Sequence, residues 1–300
     1  MAQPEQKPNR SVRQRFELKG RSYIVTGGGQ GIGFAVAEAI CEMGGNVGVL
    51  DLRQTPVDEF DSLSSRFGVK TAYAQTDVSS AESLQAGFEK VMQTLGTLDG
   101  IFTAAGIAID KPFVEQTPDE FINIQKVNVS SLYRNEFHTN DAQVFGSFYA
   151  AQLAVKQMQK QKTAGSIVLV ASITAHVGLP SYRMASYNAS KGGVFMLSKA
   201  LASELAPFGI RCNTISPAFT DTAQTQVVRN ADPANAGVMW SQPPLGRIGE
   251  ADEMTAAVIY LLSDASSYTT GADIAITGGI HVGRKTDYAM HANGAPTSIR

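Results

Sequence analysis

The reading of the fold turns on Tyr23-Ile24-Val25-Thr26-Gly27-Gly28-Gly29-Gln30-Gly31-Ile32-Gly33-Phe34-Ala35-Val36-Ala37-Glu38-Ala39-Ile40. Tyr23 to Val25 is an apolar run of strand length. Phe34, Val36, Ala37, Ala39 and Ile40 then follow at helical spacing, up to the stop at Gly44-Gly45. Between them lies a glycine-rich turn. Strand, turn and helix N-terminus in that order form a cradle for a pyrophosphate. Glycines at 27, 31 and 33 let backbone approach it, with Ile32 between them, and the first N–H groups of the helix favour its charge. The spacing is Gly-x-x-x-Gly-x-Gly, not Gly-x-Gly-x-x-Gly.

The next strand, Val47 to Leu50, ends at Asp51. An acid there is placed to bind the adenosine ribose hydroxyls of NAD and to repel the 2′-phosphate of NADP. Arg53, two residues on, is the residue that would accept such a phosphate, so NAD is favoured and NADP stays open. Further strand–helix units follow. Ala72-Tyr73-Ala74 leads to Asp77-Val78, where Ser79-x-x-Glu82 has the form of a capping box for a helix to about Leu95. Ile101-Phe102-Thr103 ends in Ala104-Ala105-Gly106, a small-residue turn suited to run beside a cofactor. Thr117-Pro118 opens another helix. Ser166 to Val170, Ile210 to Ile215 and Ile274 to Ile276 supply the remaining strands. Strands alternating with helices predict one doubly wound, Rossmann-type α/β domain: a parallel sheet of about seven strands flanked by helices.

The composition narrows the class. The 300 residues are 43% hydrophobic with a net charge of −2 and a pI near 6.1, which points to neither nucleic acid nor an acidic membrane as partner. No 18-residue apolar span occurs. The first residues, Met1 to Arg15, lack the apolar region of a secretory signal. Cys41 and Cys212 are the only cysteines, as befits a reducing compartment, and a cytoplasmic location is expected. The four histidines form no ligand spacing with acids or cysteines, so no metal is expected. Residues 1–17 read as a disordered arm, 18–283 as the domain and 284–300 as a flexible tail.

Ser186-Tyr187-Asn188-Ala189-Ser190-Lys191 carries the candidate chemistry. Val194, Leu197, Leu201 and Leu205 continue it at helical spacing, so Tyr187 and Lys191 are an i, i+4 pair on one face. A phenol titrates near 10 by itself. A neighbouring ammonium stabilises the phenolate and makes the phenol usable as proton donor and acceptor. Ser172 lies fifteen residues before Tyr187.

Taken together, these residues resemble the short-chain dehydrogenase/reductase family over roughly Leu18 to Gly283. The signature comprises Thr26-Gly27-x-x-x-Gly31-x-Gly33, Asp77-Val78, Asn128, Ser172, Tyr187-x-x-x-Lys191 and Pro217 to Thr222. The resemblance implies an NAD(P)-dependent interconversion of a secondary alcohol and a ketone. Tyr187 would be the acid/base, and Lys191 would lower its pKa and hold the nicotinamide ribose. Ser172 would bind the substrate oxygen, and Asn128 would anchor a proton-relaying water. Thr222 would contact the carboxamide, and Asp77, Val78, Ala105 and Gly106 would line the cofactor. A homodimer or homotetramer is implied as well. The long Ser172–Tyr187 spacing is similar to mannitol and other polyol dehydrogenases, so the substrate is a polyol or sugar, or else a secondary-metabolite ketone. His176 in that loop reads as a substrate contact or as a surface histidine. Trp240 falls where the family carries a variable lid. A non-catalytic, cofactor-binding relative acting as sensor or scaffold is the alternative.

Three departures stand out. The family's Asn-Asn-Ala-Gly is Thr103-Ala104-Ala105-Gly106 here, and its Pro-Gly is Pro217-Ala218. The third is an atypical insertion, 129–143. The family's helix runs straight on past Asn128, and removing those fifteen residues leaves Val-Asn-Val-Phe-Gly-Ser-Phe-Tyr, which fits without a gap. The removed piece lacks a helical apolar period. Its ends and its Thr-Asn permit codons that resemble splice donor, branch point and acceptor, the pattern of an unspliced in-frame intron. The competing reading is a genuine loop that reshapes the site or a subunit contact. A bulge just behind Asn128 is expected in either case.

Overall fold

Seven parallel strands form one sheet in the computed structural model of the chain, which describes residues 10–129, 146–179, 182–231 and 233–284. They are β1 (Ser22–Thr26), β2 (Asn46–Asp51), β3 (Thr71–Gln75), β4 (Gly100–Thr103), β5 (Gly165–Val170), β6 (Ile210–Pro217) and β7 (Asp273–Ile276). The order across the sheet is β3-β2-β1-β4-β5-β6-β7. The order reverses between β1 and β4, so the crevice beyond their C-terminal ends is where an open sheet of this kind takes a ligand. The helices are α1 (Val12–Phe16), α2 (Gly31–Glu42), α3 (Phe60–Phe67), α4 (Ala81–Leu95), α5 (Pro118–Asn128), α6 (Gly146–Gln161), α7 (Ala185–Leu205), α8 (Ala223–Ala231), α9 (Pro233–Ser241) and α10 (Thr255–Leu262).

Alternation along the strands divides the core into two layers. Ile24, Ile101 and Ile167 pack under α4, α6 and α7 with Leu84, Val91, Met158 and Val194. Tyr23, Val25, Phe102 and Val168 pack on the other face with Val36 and Ile40 of α2, Leu63 of α3 and Val258 of α10. Both faces are covered, which is why the strands read as continuous apolar runs.

Some local expectations shift. The chain is ordered before residue 18: Ser11 caps α1 in a full capping box with Gln14, and Arg10 pairs with Asp264 at 2.7 Å. Residues 1–9 and 285–300 lie outside the described residues. The cap of α4 is Ser80, whose side chain accepts from Ser83 N, rather than Ser79. Ser79 instead donates to Asp77. Thr117 caps α5 with Glu120 as expected, Pro118 standing in the first turn. Of the atypical insertion only Val129 is described; α5 stops at Asn128 and α6 begins at Gly146.

Candidate active site

A cavity of about 620 Å³ opens along the C-terminal edge of the sheet. That is within the range of small-ligand pockets. One end is made by backbone. Gly27 and Gly31 adopt φ of 68° and 55°, and a Cβ on Gly27 would come within 2.6 Å of Ala105 N. A Cβ on Gly33 would overlap the Gly27 carbonyl oxygen. The space a side chain would take is left for the open N-terminus of α2, where no side chain caps the helix. A pyrophosphate fits this donor set.

Asp51 closes the same end. It is 8% exposed; one carboxylate oxygen accepts from Gly29 N at 2.9 Å and the other from Arg53 N at 2.9 Å. The Arg53 guanidinium donates to Gln30 Oε1 at 2.9 Å and to the Thr55 carbonyl at 3.3 Å. Asp77, held by Ser79, and Val78 line the wall, as do Ala105 and Gly106. Thr222 lies opposite Gly31 and shares its hydroxyl with Thr225 at 3.2 Å.

The other end is made by side chains. Lys191 is 5% exposed, and its Nζ donates to the Val170 carbonyl at 2.8 Å and stands 5.7 Å from the centre of the Tyr187 ring. Burial holds its pKa down to about 8. Tyr187 lines the cavity, and burial raises its pKa while a hydrogen bond with Ser172 works the other way. The sequence-based expectation of a lowered phenol is therefore not met by the protein's own groups. Desolvation dominates at Tyr187, and the Lys191 ammonium is itself disfavoured by burial. Ser172 Oγ also accepts from Thr174 N at 3.2 Å.

Asn128 is fully buried. Its amide clamps Ile107, accepting from its N at 2.8 Å and donating to its carbonyl at 2.9 Å, and also donates to Ser190 Oγ at 3.0 Å. It thus ties the turn after β4 to the helix that carries Tyr187. A second zipper, invisible to periodicity, runs beside it. Lys111 N donates to the Arg183 carbonyl, Asp110 pairs with Arg183 at 2.9 Å and Gln125 reaches the Ser186 carbonyl at 3.2 Å. Asp110 Oδ2 and Thr174 Oγ1 are buried with no hydrogen-bond partner among the described residues.

His176 turns to the sheet rather than into the cavity. Its Nε2 lies 2.9 Å from Asp273 and 3.2 Å from Ser216, with the ring edge-on to Phe195. Trp240 sits half-exposed on α9 beside the buried Met239. Thr103 Oγ1, where the family places an asparagine, is buried and lacks a partner among the described residues, at a cost of about 1–3 kcal/mol. No cluster able to hold a metal occurs among the described residues, nor a helix long and apolar enough to cross a membrane.

Residues 21–233 match the short chain dehydrogenase family. The chain is 31% identical to an NADP-dependent mannitol dehydrogenase of Hypocrea jecorina, over 93% of this chain and 98% of that one. It is 35% identical to sorbose reductase sou1 of Schizosaccharomyces pombe, over 88% and 97%. Among solved structures, the NADPH-dependent 3-quinuclidinone reductase of Rhodotorula rubra aligns with a TM-score of 0.80 at 36% identity, over 93% and 97%. The chain belongs to the short-chain dehydrogenase/reductase family. It is an NAD(P)-dependent oxidoreductase that interconverts an alcohol and a ketone.

Proposed function

We propose that this enzyme acts on a polyol or sugar, with Tyr187 as the proton donor and acceptor. The observation that carries the chemistry is the Ser172–Tyr187–Lys191 arrangement at the cavity's end. Ser172 is the group that opposes the upward shift of the Tyr187 phenol, so a carbonyl or carbinol oxygen bound beside the phenol would meet both hydroxyls. In the reductive direction Tyr187 gives its proton to that oxygen, and in the oxidative direction it takes it back. Lys191, fixed on the Val170 carbonyl beside the Tyr187 ring, would hold the nicotinamide ribose. A bound nicotinamide cofactor supplies the hydride chemistry. Asn128 keeps its side chain on Ile107 and Ser190, so its part is to hold the turn after β4 in register with α7. The mannitol and sorbose relatives favour a substrate rich in hydroxyls. Assay of ketoses and other ketones with NADH and NADPH tests this. Turnover of apolar ketones alone would remove the sugar reading and leave the chemistry.

We also propose NAD as the preferred cofactor. Asp51 keeps its carboxylate between Gly29 and Arg53, where a 2′-phosphate would meet its charge, while the Arg53 guanidinium is occupied by Gln30 and Thr55. The named relatives that use NADP or NADPH favour the opposite choice. Tighter binding of NADPH than NADH by the unaltered protein would overturn the proposal. Assembly as a homodimer or homotetramer is supported by apolar side chains left open on α5 and α7, Phe121 at 44%, Ile122 at 46% and Met196 at 61% exposure. A monomeric mass at micromolar concentration would contradict it. The unpaired, buried Cys41 and Cys212, both with pKa raised to about 12, suit a cytoplasmic setting.

A further inference from the structure

Three contacts join α5 to α6, and all have the same separation in sequence. Ser147 Oγ donates to the Asn128 carbonyl at 3.0 Å, nineteen residues back. Phe148 N donates to the Val129 carbonyl at 3.1 Å. Gly146, before them, packs against the Val127 carbonyl so closely that a Cβ would overlap the oxygen, although its own N–H points elsewhere. Each of these pairs is also nineteen residues apart. In an α-helix a residue meets the carbonyl four positions back, through its N–H or, for serine, through its hydroxyl. Nineteen is four plus fifteen. Ser147 and Phe148 therefore stand where the next turn of α5 belongs in a chain fifteen residues shorter, with Gly146 at the join.

We infer that residues 130–144 are an insert lodged within a single helix, and that the fold is complete without them. Residues 129 and 144 are both valine, so removing 130–144 or 129–143 yields the same chain, Asn-Val-Phe-Gly-Ser-Phe. The seam is visible at Gly146. Its φ is +48°, and its N–H donates to the Val78 carbonyl at 2.8 Å instead of to Val127. Val78 lines the cavity beside Asp77, so the irregular end of α6 leans on the wall of the cofactor site. In the joined chain Gly146 N meets the Val127 carbonyl, the left-handed residue becomes helical and the Val78 carbonyl is released. Asn128, one residue before the seam, gains a helix that continues past it. The entropy cost of closing a connection fifteen residues longer also disappears.

The test is a full-length protein beside one lacking residues 130–144, with thermal unfolding and NADH and NADPH affinity as the readouts. Neither readout needs a substrate, so the result stands apart from the sugar reading. The shortened chain is expected to melt about 3 °C or more higher and to bind cofactor at least as tightly. A lower melting temperature, or cofactor affinity weakened tenfold, overturns the inference. A second variant keeps chain length but replaces 130–144 with fifteen Gly and Ser residues. Its melting temperature is expected to match the parent. A marked fall would mean that the segment's own side chains hold the fold, which also overturns the inference, even if the deletion fails to fold. Transcripts that lack the codons for these fifteen residues are the corroborating result.

Discussion

At Gly33 an added Cβ would overlap the Gly27 carbonyl oxygen, whereas at the far end of the same cavity Tyr187 and Lys191 sit with their proton affinities moved by burial. The cofactor end is built from backbone: turns that leave no room for a side chain, a helix N-terminus and one carboxylate held by two N–H groups. The proposed catalytic end is built from side chains whose charge depends on surroundings. A backbone cradle works or fails with geometry and is insensitive to pH. A buried phenol and ammonium keep their geometry through substitution but change chemistry with one proton. The two ends should therefore fail in different ways.

Tyr187→Phe should show this most sharply. Ring packing stays and the proton goes, so turnover should fall about a thousandfold while NADH affinity changes less than threefold. Near-normal turnover would break the contrast. Gly33→Ala should do the reverse. Cofactor affinity should fall at least about a hundredfold, because backbone cannot yield to the new methyl, with calorimetric titration as the check. Asp51→Ser should move the NADH-to-NADPH affinity ratio about tenfold towards NADPH and leave the turnover of bound cofactor nearly unchanged.

The smallest effect is on stability against pH. Lys191 has a pKa of about 8 in the folded protein, below its value of about 10.4 in an unfolded chain. Between those values the unfolded chain binds the extra proton, so the cofactor-free protein should gain stability as pH rises from about 8 to about 10. Below about 8 the penalty for burying the charge is present in full. Denaturant titrations of the protein and of Lys191→Met should differ in slope only in that window. Parallel curves would show that Lys191 is solvated as freely folded as unfolded. In catalysis the sign follows from Tyr187, whose pKa burial raises. Reduction should hold steady through neutral pH, and oxidation should climb as the phenol becomes easier to deprotonate.

Periodicity was enough for the sheet because its central strands are buried on both faces and the helices that cover them carry an apolar stripe. The order of Gly27, Gly31, Gly33 and Asp51 was enough to bring them to one end of the cavity because a βαβ unit has one handedness and short turns. The spacing of Tyr187 and Lys191 likewise fixes their common face, whatever packs around them. Tertiary structure decided the rest. That Asn128 grips Ile107 and Ser190, that His176 turns to Asp273 and that Asp110 fastens Arg183 are pairings between segments remote in sequence, for which no local pattern exists. Burial likewise set the proton affinity of Tyr187, since desolvation depends on every neighbour at once. The anomaly after Asn128 was legible as a broken pattern. Only the contacts of Gly146, Ser147 and Phe148 showed that helical register is kept across it, because register is a relation between two segments in space.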